Sequence, residues 1–372
     1  MTVSHNILIT GASGYLGGTL LARWASAGLT GYDKLFALVQ TEAQREQVKQ
    51  YGAEPLIFSP RDDQAVREAV VQNRITIVFY LIDAFDSVGQ ENFIKALGQV
   101  KSQTGLEVHL LHLTGGFLLQ TSGAKIFSGL AGAPTDSPLL DTDPGLYDIQ
   151  KAQEPPIPFM KKPVETNKRV IDLAQANDVR SYIFAPSIVY GRGEGFGNPI
   201  SIQTVDIVKA AIAAGLVHSV TPDRPTWPVC HVLDNTTLYL QILRSILNGD
   251  TPGYDKNGYY LAASGSVAWD DLYDAMAKAL KARNVIEDER VIPADESALG
   301  KMAQGLSTES SLVQMRLAGK CTFTAKHGAQ IGWKPQFPPE HILEAADGEI
   351  EHILHTLHSN EGFGDKPWYK KE

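Results

Sequence analysis

Tyr147 and Lys151 are the residues whose types and spacing most directly suggest chemistry. A tyrosine and a lysine four positions apart share one face of a helix. A neighbouring ammonium stabilises the phenolate and lowers the pKa of the tyrosine, which suits it to move a proton at a substrate hydroxyl or carbonyl during hydride transfer. A serine hydroxyl would hold the same oxygen, and Ser122 is the candidate. These three residues predict an acid–base site.

A second interpretation stays open, because two prolines follow Lys151 within five residues and the helix that carries the pair must be short. The helix directly before the next strand is predicted over about residues 163–176, and it has Val164 where a tyrosine would pair with Lys168. Either Tyr147 and Lys151 act and an insertion follows them, or the tyrosine is lost and a lysine remains. In the second case that lysine is Lys161, Lys162 or Lys168.

Another chemical signal is a glycine series at the start of the chain. An apolar strand, Ile7 to Ile9, runs into Gly11, Gly14 and Gly17, and an apolar helix follows. The first glycine allows a tight turn, the second lets the backbone approach phosphates, and the third lets the helix pack on the strand. The N–H groups of the helix N-terminus attract an anion. The order predicts a dinucleotide site formed by Gly11, Ser13, Gly14, Tyr15, Leu16 and Gly17.

The end of the second strand bears on the choice of dinucleotide. An acidic residue there would bind the ribose 2′-OH of NAD, whereas a basic residue would accept the 2′-phosphate of NADP. The strand ends in Leu38-Val39-Gln40-Thr41, which has neither charge, and Arg45 follows one helical turn later. We therefore predict NADP, with NAD as the alternative, and place Gln40 and Arg45 at the ribose.

Strands and helices alternate through the first half of the chain, which predicts an α/β fold with a doubly wound parallel sheet, the Rossmann fold. The apolar run at 75–82 is typical of a strand covered on both faces. We predict a dinucleotide-binding domain over 1–195 and a smaller substrate lobe over 196–372, interleaved with the sheet near 229–265. The glycine-rich segment 191–197 is predicted to be a mobile loop.

Composition narrows the function classes. The net charge is −9 and basic residues form no long run, which argues against nucleic acid. Apolar runs stay shorter than eighteen residues, which argues against a membrane span. The first strand begins too early for a signal peptide, and two cysteines, Cys230 and Cys321, are too few for a disulfide framework. The sequence predicts a cytoplasmic protein with a small-molecule substrate and no metal.

The chain resembles the extended short-chain dehydrogenase/reductases, the NAD-dependent epimerase/dehydratase type, in a fungal-type branch. The resemblance rests on Thr10-Gly-Ala-Ser-Gly-Tyr-Leu-Gly and Ala185-Pro-Ser-Ile-Val-Tyr-Gly, with support from 227–234 and 331–335. It implies that the first domain binds NAD or NADP beside Pro186, that the later lobe closes over the substrate, and that homodimers form through two helices. It also implies a Tyr-x-x-x-Lys pair with a serine upstream; Ser122 lies 25 residues (147 − 122) before Tyr147.

The segment 113–120 is unusual, because its removal would join His112 to Thr121-Ser122-Gly123 at the expected strand end. We interpret it as a local insertion, in which case Thr114 competes with Ser122 for the substrate oxygen. Two functions remain in competition. One is an oxidoreductase or epimerase/dehydratase, including isomerisation with a retained cofactor. The other is a catalytically silent, NmrA-like dinucleotide-binding regulator, which the irregular tyrosine helix favours.

Overall fold

The computed structural model describes residues 4–115 and 123–359. The strands in this part of the chain are β1 (His5–Ile9), β2 (Tyr32–Leu38), β3 (Glu54–Leu56), β4 (Ile75–Tyr80), β5 (His109–Leu113), β6 (Leu139–Leu140), β7 (Arg180–Pro186), β8 (Ile188–Tyr190), β9 (His218–Ser219), β10 (Thr226–His231), β11 (Tyr259–Ala262), β12 (Gly265–Ala268), β13 (Ile292–Pro293) and β14 (Phe323–Thr324).

The helices begin and end close to the strands that they connect. They are α1 (Tyr15–Trp24), α2 (Glu42–Lys49), α3 (Asp63–Gln72), α4 (Val88–Thr104), α5 (Leu146–Lys151), α6 (Lys161–Ala176), α7 (Gln203–Ala214), α8 (Val232–Leu247), α9 (Trp269–Ala282), α10 (Glu296–Gly305), α11 (Ser310–Leu317), α12 (His327–Gln330), α13 (His341–Glu344) and α14 (Ala346–Ser359).

A seven-stranded sheet in the order β11-β7-β5-β4-β1-β2-β3 forms the centre of the molecule. Every neighbouring pair in it is parallel. The predicted doubly wound α/β fold is therefore confirmed. Side chains of β1 alternate between two cores: Ile7 and Ile9 pack with α1 and α8, and Leu8 packs with α3, α4 and α6. Burial on both faces is why these strands are continuously apolar.

The second half of the chain adds a smaller sheet in the order β12-β10-β8. The strand β11 lies at the edge of the main sheet although its neighbours in sequence, β10 and β12, pair with each other in the smaller one. The domain boundary at 195/196 stays a prediction. Both cysteines are buried and unpaired. Each described helix is too short or too polar to cross a bilayer.

Several predicted boundaries shift for local reasons. The first helix begins at Tyr15 rather than near 18, because Gly14 with φ −81° and ψ 169° serves as its N-cap. The helix predicted over 339–357 is interrupted at Ala345 and forms α13 and α14. Tyr147 and Lys151 lie on the six-residue helix α5, which ends before the two prolines as their spacing predicts.

Candidate functional site

A cleft of about 570 Å³ opens at the carboxyl ends of the central strands. It lies where β1 is flanked by β4 and β2, the point at which the strand order reverses and ligands of such sheets bind. All described side chains on its wall are uncharged: Gly11, Ser13, Gly14, Tyr15, Leu16, Gly17, Leu38, Val39, Gln40, Gln44, Phe58, Pro60, Leu81, Ile82, Leu113, Pro186, Ser187, Val189, Asn198, Ser201, Ile202 and Gln203.

The glycine loop between β1 and α1 forms the floor of this cleft. Gly11 has φ +67°, and a Cβ there would lie 2.6 Å from the carbonyl oxygen of Leu81. A Cβ on Gly17 would lie 2.3 Å from the oxygen of Gly11. Around Gly14 the nearest atom to such a Cβ is that same oxygen, at 3.2 Å, so this glycine leaves room on its outer side. The loop therefore has both tight packing and free space for a phosphate.

The start of α1 fits an anion. Its first turn contains no acidic residue, and no side chain caps its N-terminus, so its first N–H groups are available to a ligand. Thr10 fixes the loop to the neighbouring strand end, because its backbone N–H donates to the carbonyl of Phe79 and its Oγ1 accepts from the N–H of Leu81, both at 2.9 Å. A rigid loop with free donors fits the pyrophosphate of a dinucleotide.

The part of the cleft beside β2, which we call the near half, is formed by amide side chains. Gln40 and Gln44 line it, and the N–H of Gln40 donates to Oε1 of Gln44 at 2.8 Å. Arg45 does not line the cleft; its guanidinium is paired with Glu42 at 3.3 Å on the exposed side of α2. The structure thus brings Gln40 to the predicted ribose position and leaves Arg45 outside it.

The part beside β5, β7 and β8, which we call the far half, mixes apolar side chains with three polar ones, Ser187, Ser201 and Gln203. The two hydroxyls are engaged within the protein: Ser187 donates to the carbonyl of Ala262 at 2.7 Å, and Ser201 pairs with Thr204. Nε2 of Gln203 is buried and has no partner in the described structure. Sequence reasoning missed these residues, because no spacing pattern connects them to the glycine loop.

Residues 191–199, which we call the crossing loop, pack across the glycine loop. The N–H of Asn198 donates to the carbonyl of Ser13 at 2.9 Å, and the N–H of Glu194 donates to Oγ1 of Thr19 at 3.2 Å. The carboxylate of Glu194 also binds Arg23 on the outer side of α1. The alternation of glycine at 191, 193, 195 and 197 was the available signal, since glycine permits such close backbone approach.

The crossing loop is also attached to the C-terminal lobe. The N–H of Gly191 donates to Glu349 on α14 at 2.9 Å, and the hydroxyl of Thr204 donates to the same carboxylate at 2.7 Å. Burial raises the pKa of Glu349, while these two hydrogen bonds act in the opposite direction. On its other side, Gly191 accepts a hydrogen bond from the Tyr15 hydroxyl at 2.6 Å. The cleft wall therefore depends on residues from three distant segments.

Tyr147 and Lys151 lie elsewhere. The Tyr147 hydroxyl donates to Oδ1 of Asp172, near the end of α6, which leads into the amino end of β7. The cleft is at the carboxyl ends of the strands, so the two sites are at opposite ends of the sheet. Nζ of Lys151 lies 6.0 Å from the centre of the Tyr147 ring. Burial, with a contribution from Asp172, raises the pKa of Tyr147 to about 12, the opposite of the lowered pKa that the sequence predicts.

The remaining candidates lie nearer the cleft or outside the described residues. Ser122 belongs to 116–122, outside the described residues. Thr114 follows β5, and its buried Oγ1 has no partner in the described structure. A Cβ built on Gly123 would lie within 3 Å of both this oxygen and Pro186, so Thr114 adjoins the cleft wall. The lysine alternatives do not line the cleft; Lys162 lies 4.8 Å from the Phe85 ring.

Comparison with known proteins places this cleft in context. The model of the "NAD dependent epimerase/dehydratase family" matches residues 7–252. No curated protein sequence matches the chain significantly. Among solved structures, the UDP-glucose 4-epimerase of Thermotoga maritima is similar with a TM-score of 0.61 and 15% identity over 95% of this chain and 99% of that one.

Two further structures resemble the chain. The dTDP-glucose 4,6-dehydratase of Bacillus anthracis, in complex with NAD, has a TM-score of 0.60 and 9% identity over 94% of this chain and 97% of that one. A monomeric L-threonine 3-dehydrogenase from a metagenome has a TM-score of 0.57 and 14% identity over 94% and 99%. At these identities the likeness shows the shared fold.

Proposed function

Because the chain belongs to the NAD dependent epimerase/dehydratase family, we propose that its cleft binds a nicotinamide dinucleotide and serves an oxidoreductase, epimerase or dehydratase reaction on a small organic hydroxyl or carbonyl compound. The observation that carries the proposal is the glycine loop at the switch point of the sheet. Gly14 leaves open space there, and the first turn of α1 offers donors without an opposing carboxylate.

The two halves of the cleft support one orientation of the dinucleotide. The adenosine lies in the near half beside Gln40, the pyrophosphate lies on Gly11 to Gly17, and the nicotinamide lies in the far half beside Pro186. Bound there, the nicotinamide supplies or accepts the hydride. The protein's part is to hold the ring, to exclude water with apolar side chains, and to hold the substrate oxygen.

For the dinucleotide itself we propose NADP, with NAD accepted as well. A carboxylate at the end of β2 would repel the 2′-phosphate, but Gln40 and Gln44 occupy this position. Arg45 stands one helical turn away and is held only by an exposed ion pair with Glu42. Such a pair contributes about 0–1 kcal/mol, so the guanidinium is free to turn toward a phosphate.

Thr114 is the described hydroxyl that best fits the role of holding the substrate oxygen. It follows the strand end beside Pro186, and its Oγ1 lacks a partner in the described structure. The assignment of Tyr147 and Lys151 as the acid–base pair remains a prediction that this geometry does not support, since the Tyr147 hydroxyl is bound to Asp172 at the other end of the sheet. Ser122 remains the alternative to Thr114.

A blocked cleft tests the function directly. Gly14→Val places a branched side chain in the open space above the loop, and its φ of −81° suits any residue. We expect wild-type protein to quench or shift the fluorescence of NADPH on binding and the variant to bind it about 100-fold more weakly. Gly300→Ala is the matched control, because a Cβ there meets nothing within 4 Å. Equal NADPH binding by Gly14→Val would overturn the proposed site.

The silent regulator is the second candidate, and the hydrogen bond of Tyr147 to Asp172 favours it, because that bond keeps the predicted acid–base residue away from the cleft. The two functions differ in one measurement. An enzyme oxidises bound NADPH in the presence of a carbonyl panel, whereas a regulator binds NADP and NADPH with different affinities and leaves both unchanged.

A further inference from the structure

The far half of the cleft has a wall made of apolar and uncharged polar side chains. Leu113, Pro186 and Val189 provide apolar surface, and the sequence of 116–122, the segment between Gly115 and Gly123, contains no charged residue either. A charged group that enters such a wall gives up its hydration and gains no partner. An uncharged ligand has no such cost, so the composition of the wall selects against charge.

The nearest buried carboxylate is already satisfied. Glu349 accepts from the N–H of Gly191 and from the hydroxyl of Thr204, and that hydroxyl in turn pairs with Ser201. These bonds hold the wall in shape and leave the carboxylate without a free position for a cationic ligand. The hydroxyl of Ser187 is likewise engaged, with the carbonyl of Ala262.

Gln203 differs from these polar neighbours. Its side chain lines the cleft, it is 3% exposed, and its Nε2 has no hydrogen-bond partner in the described structure. A buried donor without a partner is unfavourable, so an acceptor that reaches it is bound strongly. Rotation about the last side-chain bond is enough to turn this amide toward the cleft. A carbonyl or hydroxyl oxygen is an acceptor that this donor would bind without any charge.

We propose that the substrate of this cleft is an uncharged carbonyl or hydroxyl compound and that the side-chain amide of Gln203 donates a hydrogen bond to one of its oxygens. The inference rests on the proposed function and narrows it to a substrate class. Nucleotide-linked and carboxylate substrates are excluded by the same wall, since their phosphate or carboxylate groups would lie in it unpaired. Gln203 is in this view the residue that determines specificity.

The test uses pairs of probes that differ only in charge, added to the full-length protein with saturating NADP. The pairs are methyl 4-(hydroxymethyl)benzoate with 4-(hydroxymethyl)benzoate, methyl 6-hydroxyhexanoate with 6-hydroxyhexanoate, and methyl 4-hydroxycyclohexanecarboxylate with its acid. Binding is measured by ligand-observed NMR and needs no turnover. We expect at least one ester to bind on the order of 100-fold more tightly than its acid. Equal or tighter binding of the acids, or no binding by any ester, would overturn the proposal.

Substitutions then test the role of Gln203. Gln203→Leu removes the donor and Gln203→Glu keeps the shape but lacks the N–H; we expect both to weaken ester binding about tenfold while NADPH binding stays unchanged. Gln72→Leu, on the exposed end of α3, is the matched control. Unchanged ester affinity in both Gln203 variants would refute its role. NADPH fluorescence is recorded separately, so failure of the dinucleotide site is distinguished from failure of the substrate assignment.

Discussion

The backbone N–H of Asn198 donates to the carbonyl oxygen of Ser13 at 2.9 Å, which joins the crossing loop to the glycine loop across 185 residues (198 − 13) of sequence. Both residues line the cleft, so the crossing loop forms part of the dinucleotide site. Its position is reinforced where Glu194 binds Arg23. Dinucleotide binding is therefore expected to depend on a segment that has no motif in common with the glycine loop.

Gly197→Ala tests this dependence. A Cβ on Gly197 would lie 2.0 Å from the oxygen of Ser13, so the crossing loop must move away from the glycine loop. We expect the dissociation constant of NADPH to rise about tenfold, since the hydrogen bond from Asn198 is lost with that movement. The measurement is a fluorescence titration with Gly300→Ala in parallel. An unchanged dissociation constant would show that the loop contact does not support binding.

Tyr147→Phe separates a structural role from a catalytic one. The variant loses the hydrogen bond to Asp172, an exposed residue, and we expect the free energy of unfolding to fall by about 1 kcal/mol. Because Tyr147 lies at the far end of the sheet from the cleft, consumption of NADPH with an uncharged carbonyl probe should stay within about twofold. Urea unfolding and absorbance assays measure the two quantities, with Tyr254→Phe as the control. A large loss of turnover at unchanged stability would restore Tyr147 as the acid–base residue.

Arg45→Ala addresses the choice between the two dinucleotides. If the guanidinium leaves Glu42 to bind the 2′-phosphate, the dissociation constant for NADPH rises about tenfold and that for NADH stays constant. Paired titrations of the same preparation measure both values. Arg67→Ala on the neighbouring helix α3 is the control for loss of a surface charge. Equal effects of Arg45→Ala on both cofactors would remove the preference for NADP.

His112 predicts a loss of stability in acid. Burial lowers the pKa of this histidine from 6.5 to about 4, although a hydrogen bond to Asn167 acts in the opposite direction. The folded protein keeps the ring neutral where the unfolded chain binds a proton, so the stabilisation is complete above pH 6.5 and is lost as the pH falls toward 4.

The same residue can be isolated by substitution. Urea unfolding of wild type and His112→Leu from pH 8 to pH 5 should give slopes of stability against pH that differ by up to about 1.4 kcal/mol per unit. His355→Leu, at an exposed position, should keep the wild-type slope. Identical slopes for wild type and His112→Leu would mean that other groups cause the acid loss.

The sequence alone determined the parallel sheet and the place of the glycine loop. Both are local: apolar runs of strand length alternate with helices, and Gly11, Gly14 and Gly17 act within a single strand–turn–helix unit. Steric limits on that short unit leave one way to fold it, so the spacing of a few neighbours was sufficient.

The tertiary structure decided which side chains reach the cleft. A spacing of four placed Tyr147 and Lys151 on one short helix but could not say at which end of the sheet α5 packs, and contacts with α6 put it at the amino end. Asn198 and Gln203 line the cleft because β8 and α7 pack beside the glycine loop, and Glu349 secures them from a helix near the end of the chain. Such contacts depend on how distant segments bury their apolar faces together, which no local spacing encodes.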